Sequence, residues 1–398
     1  MHAQNKDRPS PEWIAATRRR YQVEREIDRA LTYKLDQRST PPYHKLPLET
    51  LVEGVQSLIG ANLNRPFEIT DAKWLAGGAS KLQMAFNLTW NRPGVGNETT
   101  RMVLRNDPAE ALHATSRLRE FQIVSALYKV IPVPPVFWVD NTAEHLPYPG
   151  IVYGFMSGVT KPSNAKSGVT GLGTYMERNV REKLAPQFVD HLARLHTYNF
   201  REANLSAFDV PKSGTQNAEW AVNWWDRVWE EDADEDVPLV ALASAWLHKN
   251  APAVEQLSIV HGDFRTGNYL FDERDLRITG WLDWELSRIG DRHQDLAWST
   301  SRAFGTFGDD GKTFLVSGLM PENEFVESYE KASGMKVDRK SLHYYQVFNA
   351  YSMVAMTLAT SYRVARNGKS HQDILLAWLL GVGYMLLDEM RDLIDKGD

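Results

Sequence analysis

The chain has 398 residues, 43% of them apolar and 24% charged, a balance that predicts packed globular units. Its net charge of −6 argues against a general nucleic-acid or anionic-membrane surface. The absence of cysteine excludes disulfides, thiolate-bound zinc, iron–sulfur clusters and cysteine nucleophiles.

Residues 1–12 are polar, without the apolar core of a secretory signal. No apolar run approaches the roughly 18 residues of a membrane-spanning helix, so the expectation is a cytoplasmic protein. Ser10-Pro11-Glu12 opens a predicted helix. Residues 13–33, crowded with Arg and Glu, read as its exposed, charge-laced continuation, ended by Pro41-Pro42. A second helix is predicted over 48–59.

Strand character starts near Phe67. Leu82, Met84, Phe86, Leu88 and Trp90 then alternate with smaller or polar residues, the period of a half-buried strand. Residues 91–96 form the turn, and 101–105 return as the next strand. A helix over 116–130 and strands over 136–139 and 150–155 complete a small unit with an antiparallel sheet. Residues 160–174 read as a loop. Helices are predicted over 188–196, 220–229, 238–250, 344–365 and 372–393, so the second half is larger and mostly helical. The run Glu230–Asp236 between two of them is acidic, the usual composition of a solvated loop. Trp220, Trp224, Trp225 and Trp229 fall at helical spacing and read as core.

The chemistry concentrates in Ser258-Ile-Val-His-Gly-Asp-Phe-Arg-Thr-Gly-Asn-Tyr-Leu-Phe271 and Ile278-Thr-Gly-Trp-Leu-Asp-Trp-Glu285. Short apolar runs end in polar groups, a hairpin-like pattern that delivers Asp263, Asn268 and Asp283 at strand ends. Phosphoryl transfer needs a carboxylate near the attacking hydroxyl, and magnesium prefers carboxylate and amide oxygens. These three residues supply both.

The five-residue spacing of Asp263 and Asn268 resembles the catalytic loop of kinases. The wording His261-Gly-Asp-Phe-Arg-Thr-Gly-Asn268 resembles the aminoglycoside phosphotransferase and choline kinase group. Leu282-Asp-Trp-Glu285, Gly290-Asp-Arg-His-Gln-Asp-Leu-Ala297 and Leu192-Ala-Arg-Leu-His196 extend the likeness. Val103-Leu-Arg105, Pro132-Val-Pro-Pro135 and Ala245-Trp-Leu-His248 look most like the branch associated with acyl-CoA dehydrogenases.

The resemblance implies an α+β, bilobal protein-kinase-like fold, with a small antiparallel-sheet N-lobe and a larger, mostly helical C-lobe. The divisions expected are a helical extension over 1–60, an N-lobe over 61–156 and a C-lobe over 157–398. The extension is available to pack on the small lobe or to mediate a homodimer. The activity implied is ATP- and Mg2+-dependent transfer of the γ-phosphate to a hydroxyl of a small molecule. A hydroxyacyl-CoA or a hydroxylated aromatic is the expected acceptor, with no nucleic-acid or membrane partner. An aminoglycoside or macrolide kinase and a nucleotide-binding pseudokinase are the alternatives.

Within that resemblance Asp263 is the base or hydroxyl-orienting group, His261 orients its loop, and Arg265 reaches phosphate, substrate or a nearby carboxylate. Asn268 and Asp283 bind magnesium. Glu285 is read either as a further metal or water ligand or as an exposed surface residue. Asp291 and Asp295 brace the loop or cap the next helix. Gly77 and Gly78 let backbone N–H groups approach phosphates, and Ser80 is the expected side-chain phosphate contact. Arg105 stands where protein kinases place a lysine, with Glu120 as its helix partner and Lys81 as its competitor for the phosphates. Val103 and Met156 are the adenine-pocket candidates.

Overall fold

The computed structural model describes residues 6–75, 81–163, 172–212 and 214–397. Gly77, Gly78 and Ser80 lie outside them, as does part of the loop expected over 160–174.

Two helices, α1 (Pro11–Arg20) and α2 (Arg25–Gln37), precede α3 (Leu48–Asn62). Ser10 caps α1 by accepting from the Trp13 amide at 3.2 Å. The single exposed helix expected over 13–33 is therefore two, and α2 is not a solvent helix. Ile27, Leu31 and Leu35 are buried, and the charged Lys34 is buried with them. Its charge is matched by acids far away in the chain, so a charge-rich composition does not bring it to the surface.

Five strands form one antiparallel sheet: β1 (Phe67–Trp74), β2 (Leu82–Arg92), β3 (Gly96–Asn106), β4 (Val136–Asp140) and β5 (Gly150–Gly154). Their spatial order is β1-β2-β3-β5-β4. The alternation read in β2 is real: Leu82, Met84, Phe86, Leu88 and Trp90 are all buried. One face packs on α3, where Leu51, Val55, Leu58 and Ile59 join Met84, Phe86, Leu88, Met102, Leu104 and Val152. The other face carries Ile151 and Tyr153 and meets α4 (Arg117–Leu127). That second core continues without interruption into the helical half of the molecule.

The C-terminal half contains α5 (Arg178–Thr197), α6 (Gln216–Asp232) and α7 (Pro238–Lys249). Two short ribbons follow: β6 (Ser258–Val260) pairs with β9 (Arg288–Gly290), and β7 (Tyr269–Asp272) pairs with β8 (Arg277–Trp281). Next come α8 (His293–Thr300), the small ribbon β10 (Thr306–Phe307) with β11 (Phe314–Leu315), and α9 (Glu322–Ser333). Helix α10 (Arg339–Val354) runs through a π-helical turn, Ala355–Ser361, into α11 (Tyr362–Arg366), and α12 (Asp373–Gly397) closes the described chain. Trp224 and Trp225 stack at 5.5 Å between centroids and are buried, as core packing requires. Among the described residues no helix is long and apolar enough to cross a membrane.

The acidic run departs from its reading as a solvated loop. Glu231 and Asp232 end α6 in the interior. Lys34 reaches Glu231 at 2.8 Å and Asp232 at 3.0 Å, and Arg38 reaches Asp232 at 2.6 Å. Burial alone would raise the Asp232 pKa, but the charges of Lys34 and Arg38 hold it below the ordinary carboxylate value.

Candidate active site

The ribbon β7–β8 brings the two halves of the motif together. His261, Gly262 and Asp263 follow β6, Asn268 precedes β7, and Asp283 follows β8. Four hydrogen bonds fix the turns, two of them between one turn and the other. Asn268 Nδ2 donates to the Asp263 carbonyl at 2.9 Å, and the Leu282 amide donates to the Asn268 carbonyl at 2.8 Å. His261 Nε2 lies 2.9 Å from the Leu282 carbonyl, while its Nδ1 receives the Asp263 amide at 3.2 Å. A carbonyl only accepts, so the ring is neutral with its proton on Nε2. Burial lowers the His261 pKa, which keeps that form. His261 is thus a brace, not a proton acceptor.

Gly262 must be glycine. Its φ is +83°, and a Cβ there would lie 2.7 Å from the Leu286 carbonyl oxygen. Asp295 on α8 accepts from the amides of His261 (2.7 Å) and Gly262 (2.8 Å), so it braces the loop. His196 Nε2 approaches the same carboxylate at 3.2 Å. Asp291 accepts from the amide of His293 at 3.0 Å, next to the start of α8.

Asp263 is half-buried. Its Oδ1 accepts from Arg265 Nε at 2.7 Å and from the indole of Trp298 at 2.6 Å. Of the two readings of Arg265, the structure holds the ion pair, and the carboxylate is that of Asp263. Trp298 was not singled out in the sequence. It sits three residues after Asp295, on the same helical face, which is the one signal that points to it.

Asp283 adopts the left-handed conformation, φ 60° and ψ 49°, which aspartate tolerates better than most residues. Its side chain is 43% exposed and pairs with Arg105. Arg105 also binds Glu120 at 2.8 Å, so the β3 cation and the α4 carboxylate meet as expected. The Tyr153 hydroxyl donates to Glu120 as well. Burial opposes ionisation of Glu120, but Arg117 and Arg105 hold its pKa below the ordinary value. Val103 pairs with Tyr153 across β3 and β5, and Met156 packs at Gly280, where a Cβ would come 3.0 Å from its Cε.

Glu285 is not a surface residue. It is buried and gathers Lys81 (3.1 Å), Arg117 (3.2 Å), Arg105 (3.6 Å) and His113 (3.1 Å). Burial would raise its pKa, yet Lys81, Arg105 and the His113 hydrogen bond hold it well below the usual range. Lys81 is buried too and also pairs with Asp107 at 2.9 Å. Both oxygens of Glu285 therefore face cations. Their partners come from positions 81, 105, 113 and 117, and no local pattern in the sequence connects them.

The oxygen donors suit magnesium. Asp283 offers an accessible carboxylate, and the bond from Asn268 Nδ2 to Asp263 fixes the plane of the Asn268 amide. Among the described residues no three His, Asp or Glu side chains converge into a metal cage. A magnesium site needs none, because one or two protein oxygens complete a shell supplied by phosphates and water.

Residues 77–334 match the phosphotransferase enzyme family APH. The chain belongs to that family. Among solved structures this phosphotransferase resembles one from Ralstonia eutropha JMP134 assigned to the aminoglycoside phosphotransferases. The TM-score is 0.57 at 18% identity, over 86% of this chain and 98% of the other. It also resembles macrolide 2'-phosphotransferase type I, with TM-score 0.51 and 18% identity over 82% and 96%. These likenesses establish the kinase-like fold. In sequence it is 24% identical over 353 residues to acyl-CoA dehydrogenase family member 11 of Pongo abelii, and 24% identical over 347 residues to the Homo sapiens protein. It shares 27% identity over 288 residues with the probable acyl-CoA dehydrogenase IBR3 of Arabidopsis thaliana, covering 65% of this chain and 32% of that one. The two family member 11 matches cover 84% of this chain but only 42% of those proteins, so the chain spans less than half their length.

Proposed function

We propose that this phosphotransferase moves the γ-phosphate of ATP to a hydroxyl of a small molecule, with Asp263 receiving the hydroxyl proton. The observation that carries this reading is the trio Asp263, Asn268 and Asp283 on two strand-end turns sewn together by two hydrogen bonds, with a third, from Asn268 to Asp263, inside the first turn. The acceptor oxygen bonds to Pγ, the bond from Pγ to the β,γ-bridging oxygen breaks, and ADP leaves with that electron pair. Asp263 holds the acceptor in line and takes its proton as the new bond forms. Asn268 and Asp283 would hold magnesium, which neutralises phosphate charge when bound. Arg105, permanently charged and propped by Glu120, is the cation that turns to the phosphates. In this reading Glu285 keeps Lys81, Arg105 and Arg117 in place, and Gly77, Gly78 and Ser80 remain the phosphate-loop candidates.

For the acceptor we propose a hydroxyacyl-CoA, since the relatives matched over most of this chain are named as acyl-CoA dehydrogenase family members. The test incubates purified protein and Asp263→Ala with Mg-ATP and 4-hydroxyacyl-CoAs, hydroxylated aromatics, an aminoglycoside and a macrolide, following ADP release. Turnover is expected with a hydroxyacyl-CoA, reduced about 10²- to 10⁴-fold in the variant. No turnover on any hydroxyacyl-CoA rejects the acceptor. Equal ATP consumption by the variant rejects the role of Asp263.

A further inference from the structure

Two donors from different elements meet one oxygen of Asp263. Arg265 comes from the loop itself and Trp298 from α8. Trp298 is buried, and its ring stacks on Phe304 at 5.4 Å with 28° between planes. Phe304 in turn carries the Arg265 guanidinium 4.7 Å from its centroid. Indole, phenyl and guanidinium form a layered stack whose polar edge is turned to Asp263.

The two donors differ in kind. Arginine has a flexible stem and can turn to a phosphate. The indole N–H donates only, does not titrate, and is clamped by its stacking. Its helix is clamped as well, because Asp295 one turn earlier holds the amides of His261 and Gly262. One face of α8 thus anchors both the backbone of the loop and its carboxylate. The terminal torsion of an aspartate is soft and roughly two-fold, so the backbone alone does not decide which oxygen points where.

We propose that Trp298 is a positioning residue that fixes the rotation of the Asp263 carboxylate. It occupies Oδ1, so that Oδ2 is the oxygen offered to the acceptor hydroxyl. The inference rests on Asp263 receiving the hydroxyl proton.

Trp298→Phe keeps the stack on Phe304 and removes the N–H. Trp298→His restores a ring N–H. Crystal structures of wild type and Trp298→Phe read the carboxylate directly. Mg-ATP hydrolysis with water as acceptor gives kcat and KM for all three proteins. The carboxylate is expected to turn in Trp298→Phe. Its kcat is expected to fall about tenfold, with KM for ATP and the melting temperature unchanged and partial recovery in Trp298→His. An unturned carboxylate in Trp298→Phe overturns the proposal, and so does a loss seen equally in KM and melting temperature. If wild type turns over no phosphate, the reading of Asp263 falls, and the carboxylate orientation alone still decides whether Trp298 sets it.

Discussion

Two buried clusters in this molecule have the same ingredients and different ends. One holds Lys81, Arg105 and Arg117 against Asp107, Glu120 and Glu285. The other holds Lys34, Arg38 and Arg227 against Glu110, Glu231 and Asp232. The first runs out through Arg105 to Asp283, whose carboxylate is open to solvent. The second is capped on one side by Thr360, which donates to Asp232 at 2.6 Å, and runs out on another through Arg227 to Asp28, 24% exposed on α2. Burial of charge and shifted pKa values are common to both, so neither marks a reaction site by itself. What separates them is where the open end lies: Asp283 follows β8 beside the turn of Asp263 and Asn268, whereas Asp28 lies on α2.

That contrast can be broken at several points, ranked by effect on stability. Asp232→Ala leaves Lys34 and Arg38 buried without their shared partner. It should cost about 3–5 kcal/mol in urea unfolding while turnover per folded molecule stays unchanged. A loss of turnover at full stability would erase the distinction. Glu285→Gln keeps the shape and removes the charge that three cations share. It should cost about 2 kcal/mol and raise KM for ATP about tenfold, so the open cluster answers in both assays. Asp283→Asn touches the exposed end, where an ion pair contributes under about 1 kcal/mol. Its unfolding midpoint should barely move while phosphate transfer falls about 10²-fold.

The smallest effect is set by pH. Burial lowers His191 to about 4 from 6.5, so the folded ring stays neutral where the unfolded one takes a proton. Its contribution is complete above pH 6.5 and declines as pH falls towards 4. Glu285 and Asp232 have folded pKa values below their ordinary ones, so their contributions are complete above the carboxylate range and vanish only below it. Urea midpoints should therefore begin to fall between pH 6.5 and 4 before Glu285 or Asp232 loses its charge, and less so in His191→Gln.

The same contrast explains what could be read in advance. The segment from Ser258 to Glu285 is legible because its parts meet within one hairpin, where spacing and strand ends coincide. The alternation in β2 is legible because one face of a strand packs on one helix. The clusters are not legible. Lys34 meets Asp232 across 198 positions, and a charged helix reads as exposed when its partners lie that far along the chain. Glu285 fails for the same reason, since its cations come from the N-terminal half. Trp298 needed the knowledge that Asp295 grips the loop, after which helical spacing points to it.

Helix α2 has a mechanical consequence. Towards one side Glu24, at its start, binds Arg119 of α4 at 2.6 Å, and Arg38, at its end, binds Glu110 at 3.1 Å. Towards the other, Arg227 of α6 reaches Asp28 at 2.6 Å and Asp232 holds Lys34 and Arg38. The helix is a strap riveted across both halves of the molecule. Parting the halves like a clamshell would break buried ion pairs together, each of them costly. Any opening of the two halves during turnover would have to break this strap first.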